Sequence, residues 1–174
     1  MLIPEEKSAC WIPSDPQHLI DLVAARHTEW NEFARMVRVL KRWNTDHGAL
    51  MKSLTVEVLA LDYLPIGSRQ VALKSFFAAA QEAVWYPIED PAHLSGPIQH
   101  DLDMQAASAA LSAAADLALR AVEAEAKDET RVAQCLWNEL FGDIYPEPYG
   151  GCGSGATAIV PAVPKRRVAD STQG

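Results

Sequence analysis

Lys41 and Ser53 are the residues whose types and positions most suggest chemistry in this sequence. In a helix at roughly 100° per residue, Lys41 falls about 40° from Val37, at the border of the apolar face and away from Arg38 and Arg42. A lysine at that border can lay its stem on the core and keep its charge in water. It can also contact a phosphate in a cleft at the edge of the helix.

Ser53 opens an apolar run, residues 53–64, that we predict to be a buried central helix because Glu57 and Asp62 break the alternation expected of a strand. A serine at the N-cap accepts a backbone N–H bond, and capping explains it without any ligand. A helix N-terminus also presents free N–H groups and the positive end of the helix dipole, so Ser53 with Lys52 can bind phosphate. If the two helices are antiparallel neighbours, Lys41 and Ser53 face one anion.

The remaining polar residues do not form a catalytic or metal-binding pattern. Asp101 and Asp103 make an Asp-x-Asp pair, but they precede an Ala-rich helix whose first turn they are placed to cap. Cys10, Cys135 and Cys152 are odd in number and contain no C-x-x-C pair, so we expect reduced thiols. We therefore assign no catalytic residue and no metal ligand.

Composition limits the size of the fold and the class of partner. A chain of 174 residues, 49% apolar and 22% charged, is enough for one domain with tails. The net charge of −8 argues against binding of duplex nucleic acid, which requires clustered Lys and Arg. The apolar runs are shorter than the roughly 20 residues that cross a bilayer, and no signal peptide pattern is seen. We expect a soluble, cytoplasmic protein with no membrane partner.

The hydrophobic periodicity predicts an all-α fold, a bundle of about five helices with an extended N-terminal arm and a disordered C-terminal tail. The arm covers residues 1–16, the helical domain 17–146 and the tail 147–174. We expect a break near His27 and Thr28, an N-cap at Asp128 and a helix end at Gly142. A strand at residues 2–4 would have no partner downstream and would hint at an upstream sheet. The predicted core includes Trp30, Phe33, Val37, Leu40, Leu54, Val58, Leu61, Phe76, Leu111, Val122, Trp137 and Phe141.

Four segments, in order, carry a resemblance to a known family. The run RMVRVLKRWNTDHGALMKSLTVEVLALDYL, residues 35–64, contains Lys41-Arg42-Trp43 and the Ser-led helix with Glu57 inside. WIPSDP at residues 11–16, the Asp90-Pro91 loop with the Ala-rich helix, and WNELFGDIYP at residues 137–146 complete the order. Together they resemble the C-terminal helical, oligoadenylate-synthetase-type domain of the cGAS/DncV-like nucleotidyltransferases (CD-NTases), over roughly residues 8 to 146.

The resemblance implies a function. Members of the family join nucleoside triphosphates into cyclic or linear oligonucleotide second messengers, often in antiphage defence. Their helical lobe closes over a donor nucleotide held by a catalytic palm domain. The resemblance implies that Lys41 and Ser53 contact the triphosphate of ATP or GTP, and that the complete enzyme uses Mg²⁺.

One departure qualifies this expectation. The family's Gly-Ser motif, its Asp-x-Asp pair and its third acid lie upstream of the matching region, so the metal ligands are missing here and we expect this chain alone to be inactive. Three explanations stay open: a fragment, a late-start product, or a stand-alone lobe that pairs with a palm in cis or in trans. The alternative function is a catalytically inactive helical module that binds protein partners.

Overall fold

The computed structural model describes residues 15–152 together with the backbone of residues 2–4 and 11–13. The predicted all-α fold is confirmed, and residues 15–152 contain six α-helices. No helix in this part of the chain is long and apolar enough to span a membrane. The helices are α1 Pro16–Glu29, α2 Phe33–Asp46, α3 Ser53–Tyr63, α4 Arg69–Ala83, α5 Met104–Ala126 and α6 Thr130–Phe141.

The N-terminal arm contains two short strands that pair with each other. Strand β1, Leu2–Pro4, is antiparallel to β2, Trp11–Pro13, with Ile3 opposite Ile12. The expectation that a strand at residues 2–4 would have no partner downstream is therefore wrong, because the partner is the WIP segment of the same arm. If a palm domain packs against this arm, Leu2, Ile3, Trp11 and Ile12 are expected to form an exposed apolar surface. Their side chains lie outside the described residues.

The predicted break in the first helical segment is confirmed, a few residues later than expected. Helix α1 begins after Asp15, whose carboxylate accepts the His18 N–H at 3.2 Å, and Pro16 occupies its first turn. It ends at Glu29 because Trp30 is extended and buried. The break makes two helices of the predicted first one, so the described residues hold six rather than about five.

The core forms around α5, which packs against both α4 and α6. Alanines dominate the buried face of α5 and let the neighbouring helices approach closely, while the aromatic rings of α2, α4 and α6 fill the remaining space. Most predicted core residues are buried, with Leu61 and Val122 partly buried against the core. Leu54 is an exception, since it is exposed on the first turn of α3.

The start of α6 corrects one capping prediction, and its end confirms another. Asp128 does not cap the helix, because it lies in the left-handed region with φ of 59° and Glu129 holds the N-cap position. Gly142 ends α6 as predicted, at a φ of 56° that suits glycine.

Cys135 and Cys152 form a disulfide, which overturns the expectation of reduced thiols. The bond joins α6 to the segment after it, across a sequence separation of 17. Helix periodicity and wide cysteine spacing do not reveal this pairing, because the chain reverses direction after Gly142 and returns along α6. Arg131 strengthens the same contact by donating to the carbonyl groups of Gly150 and Gly151. From residue 153 onward the predicted disordered tail lies outside the described residues.

Candidate anion-binding cleft

Lys41 and Ser53 line a single cleft of about 570 Å³ between α2, the loop after it and the N-terminus of α3. Helix α2 supplies one wall, and the loop at residues 49–52 forms the floor. Gln99 and Asp101, from the segment that precedes α5, close the far side. The structure therefore brings together the two residues that the sequence singled out.

Lys41 is held by a carboxylate on the neighbouring helix. Its Nζ lies 2.6 Å from Oε2 of Glu57, and both side chains are partly buried, at 31% and 22% exposed. Glu57 follows Ser53 by four residues, which places the two on one face of α3. Lys41, at the border of the apolar face, thus forms an ion pair with Glu57, and its ammonium is not simply extended into water.

The N-terminus of α3 is capped from outside, which corrects the predicted role of Ser53. Lys52 is the N-cap residue, and no side chain of the helix makes a capping bond there. The side-chain oxygen of Gln99 instead accepts the Lys52 N–H and the Thr55 hydroxyl, each at 2.8 Å. The Ser53 hydroxyl, in the first helical position, is left exposed beside the cleft.

The floor of the cleft is fixed by a buried side-chain amide. Asn44 is 4% exposed, and its carboxamide makes two bonds to Met51, donating to the carbonyl at 2.7 Å and accepting the N–H at 3.0 Å. These bonds tie the end of α2 to the start of α3. They determine where the cleft residues of the two helices stand relative to each other.

The cleft carries two cations, each beside an anion. Lys52 Nζ lies 3.8 Å from Oδ1 of Asp101, with both side chains about half exposed, and a pair of this kind holds its members weakly. Lys52 can therefore turn toward a ligand at little cost. Lys41 is more constrained, because Glu57 restricts a side chain that is otherwise flexible.

This arrangement suits a small anion. The backbone N–H groups of Ser53 and Leu54 stand in the first turn of α3 and have no acceptor within a helix. They lie at the positive end of the helix dipole, and Lys41, Lys52 and Ser53 line the same cleft. Phosphate oxygens accept hydrogen bonds from all of these donors.

The predicted structural role of the Asp-x-Asp pair is confirmed for one member. Asp103 caps α5, its carboxylate accepting the Ala106 N–H at 3.0 Å. Asp101 lies at the cleft beside Lys52. Within the described residues, no group of three or more His, Cys, Asp or Glu side chains could hold a metal ion.

A second cleft, of about 550 Å³, lies between α1, α3 and the loop after α4, and it has the opposite character. Its lining holds three acids and two histidines but no lysine or arginine: Asp62, Glu89, Asp90, His18 and His93. Burial raises the pKa of the Asp62 carboxyl. The Asp90 carboxylate in its wall is already occupied by the backbone N–H groups of Ala92, Leu94 and Ser95. An anion is disfavoured here, so the lysine-lined cleft is the candidate site.

The sequence analysis did not identify Gln99 and Glu57 as residues that contribute to the site. Gln99 lies 47 positions from Lys52, and no local pattern connects them. Glu57 did leave a signal, since it follows Ser53 by four residues and is an acid inside an apolar helix, but its partner on α2 depends on helix packing.

The chain was compared with known proteins. No family model matches the sequence, and no curated protein shows significant similarity to it.

Proposed function

We propose that this chain is the nucleotide-binding helical lobe of a nucleotidyltransferase that makes cyclic or linear oligonucleotides from nucleoside triphosphates. In this proposal the cleft binds the triphosphate of ATP or GTP, and a palm domain in cis or in trans supplies the acids that hold Mg²⁺. The products would serve as second messengers in antiviral defence. The chain alone would bind nucleotide without turning it over.

The observation that carries the proposal is that Lys41 and Ser53 line one cleft although they belong to different helices. The four ordered segments that resemble CD-NTases provide the second support, because they assign the same two residues to the triphosphate. The chemistry agrees, since an ammonium, a hydroxyl and a helix N-terminus together are typical of phosphate sites.

The test is a calorimetric titration of the purified chain with ATP and with GTP, each with Mg²⁺. Saturable binding is expected, weakened about tenfold or more by Lys41→Ala, which removes a charge-assisted bond, and several-fold by Ser53→Ala. Arg42→Ala is the matched control. It removes one positive charge from the next residue of α2, but this side chain pairs with Asp46 away from the cleft.

Failure of the folded chain to bind at millimolar nucleotide would contradict the proposal and favour a protein-interaction module. Equal loss of affinity in Arg42→Ala and Lys41→Ala would also count against it, because the effect would then come from net charge rather than from the cleft. Binding that survives Lys41→Ala and Ser53→Ala together would place the nucleotide elsewhere on the molecule.

A further inference from the structure

Glu57 stands behind the proposed phosphate-binding lysine without lining the cleft itself. Its carboxylate accepts one hydrogen bond from the Lys41 ammonium at 2.6 Å. An ammonium has three N–H donors, so two remain for a ligand. Lys41 can therefore hold Glu57 and a phosphate oxygen at the same time.

We propose that Glu57 is a positioning residue, which holds the Lys41 ammonium at the edge of the cleft so that it meets the triphosphate already ordered. The inference rests on the proposed function and adds a role to a residue that does not touch the nucleotide. A free lysine side chain loses conformational freedom when it is immobilised on binding, at a cost of about two- to tenfold in affinity, and prior ordering removes that cost. Protein kinases use a comparable lysine–glutamate pair to place a phosphate-binding lysine.

The geometry of the pair indicates that Glu57 positions the Lys41 ammonium and does not only neutralise its charge. The two side chains come from different helices, 16 residues apart, and meet where α2 and α3 pack, so the pair is part of the helix interface. Lys52, in contrast, has the Asp101 carboxylate at 3.8 Å, and both side chains are about half exposed, so this pair restrains the lysine less. The cleft thus combines one lysine in a short, partly buried ion pair with one lysine in a longer, more exposed pair.

Three substitutions of Glu57 separate the possible roles in titrations with ATP and Mg²⁺. Glu57→Ala removes both the charge and the hydrogen-bond acceptor. It should weaken ATP binding about two- to tenfold, because the Lys41 side chain must then be immobilised on binding. Glu57→Asp keeps the charge but shortens the reach, so it should also weaken binding. Glu57→Gln removes the charge but keeps an acceptor for Lys41, and should bind within about twofold of the wild type or more tightly. The matched control is Asp46→Ala, which removes an exposed carboxylate from α2 outside the cleft.

The same variants are combined with Lys41→Ala. Glu57→Ala should have no further effect on ATP affinity in that background, because its influence passes through the lysine. Thermal unfolding of every variant shows that the proteins compared are folded.

A readout without nucleotide is the rate at which an amine-specific reagent modifies Lys41, followed by mass spectrometry. This rate should rise in Glu57→Ala more than in Glu57→Gln.

Several results would overturn the inference. Tighter ATP binding by both Glu57→Ala and Glu57→Gln would mean that the carboxylate only masks the lysine charge. Unchanged affinity in Glu57→Ala and Glu57→Asp would leave Glu57 a structural residue. Failure of the folded wild type to bind ATP would contradict both the proposed function and this inference. If the wild type binds ATP and the Glu57 variants bind it with the same affinity, only the inference is contradicted.

Discussion

At the scale of single residues, the cleft depends on side chains that satisfy buried backbone groups. Asn44 is the clearest case, because both polar ends of its carboxamide bond to Met51, which is itself only 3% exposed. No other side chain in the described residues bonds to those two backbone groups of Met51. The amide at this position is therefore required by the turn between α2 and α3.

Asn44→Ala is expected to destabilise the protein by about 2–4 kcal/mol, because it leaves a buried N–H and a buried carbonyl of Met51 without partners. The measurement is the free energy of unfolding in urea. Thr45→Ala, next in the sequence, is the control: the Thr45 hydroxyl bonds to the Lys41 carbonyl at an exposed position, and its loss should change stability by about 0.5 kcal/mol or less. An equal effect of the two substitutions would contradict the role given to Asn44.

At the scale of elements, the segment between α4 and α5 is organised by a side chain rather than by regular structure. The Asp90 carboxylate accepts bonds from the N–H groups of Ala92, Leu94 and Ser95 and from the Ser95 hydroxyl. Burial alone would raise the pKa of Asp90, but the backbone N–H bonds outweigh it and lower the pKa below its ordinary value of 3.8. The segment delivers Gln99 to the start of α3, so its order matters for the cleft.

The lowered pKa predicts a pH-dependent contribution of Asp90 to stability. A carboxyl group whose pKa is lower in the folded state stabilises the fold above its unfolded pKa, near the ordinary value of 3.8, and loses this contribution as the pH falls through the folded-state pKa. The difference in unfolding free energy between the wild type and Asp90→Ala should therefore be constant near neutral pH and shrink in acid. Urea unfolding at several pH values measures it. A difference that stays the same in acid would show that the carboxylate charge is not what holds the segment.

At the scale of the whole molecule, the last described residues are fastened to the helical core. The Cys135–Cys152 disulfide and the bonds from Arg131 attach the end of the described chain to α6. Asn138 adds bonds to the carbonyl groups of Gly142 and Tyr145. Tyr145, in this segment, packs against the edge of the core. Burial and the nearby Glu125 carboxylate raise the pKa of its hydroxyl.

Removal of the disulfide should lower the unfolding free energy by about 3 kcal/mol, the loop-closure entropy for a cross-link of this span, while α1 to α5 keep their helical content. The comparison is between the oxidised wild type and the Cys135→Ser, Cys152→Ser double variant, by chemical unfolding and circular dichroism. A thiol reductant should destabilise the wild type and leave the double variant unchanged. Equal stability of oxidised wild type and double variant would mean that the other contacts to α6 suffice.

The sequence by itself determined the all-α class, the approximate helix boundaries and most of the core, because those depend on local periodicity, capping residues and apolar burial. It also pointed to Lys41 and Ser53, since a cation at an apolar border and a serine at a helix start are visible one helix at a time. Nucleotide binding by these residues stays a prediction.

Only the tertiary structure decided which side chains meet. The Lys41–Glu57 pair, the capping of α3 by Gln99, the pairing of β1 with β2 and the Cys135–Cys152 bond all join residues that no local period relates. For the same reason Leu54, which suits a core by its type, is exposed on α3. Local patterns fix the direction of a side chain within its helix, but the partner on the other side of a contact depends on how the helices pack.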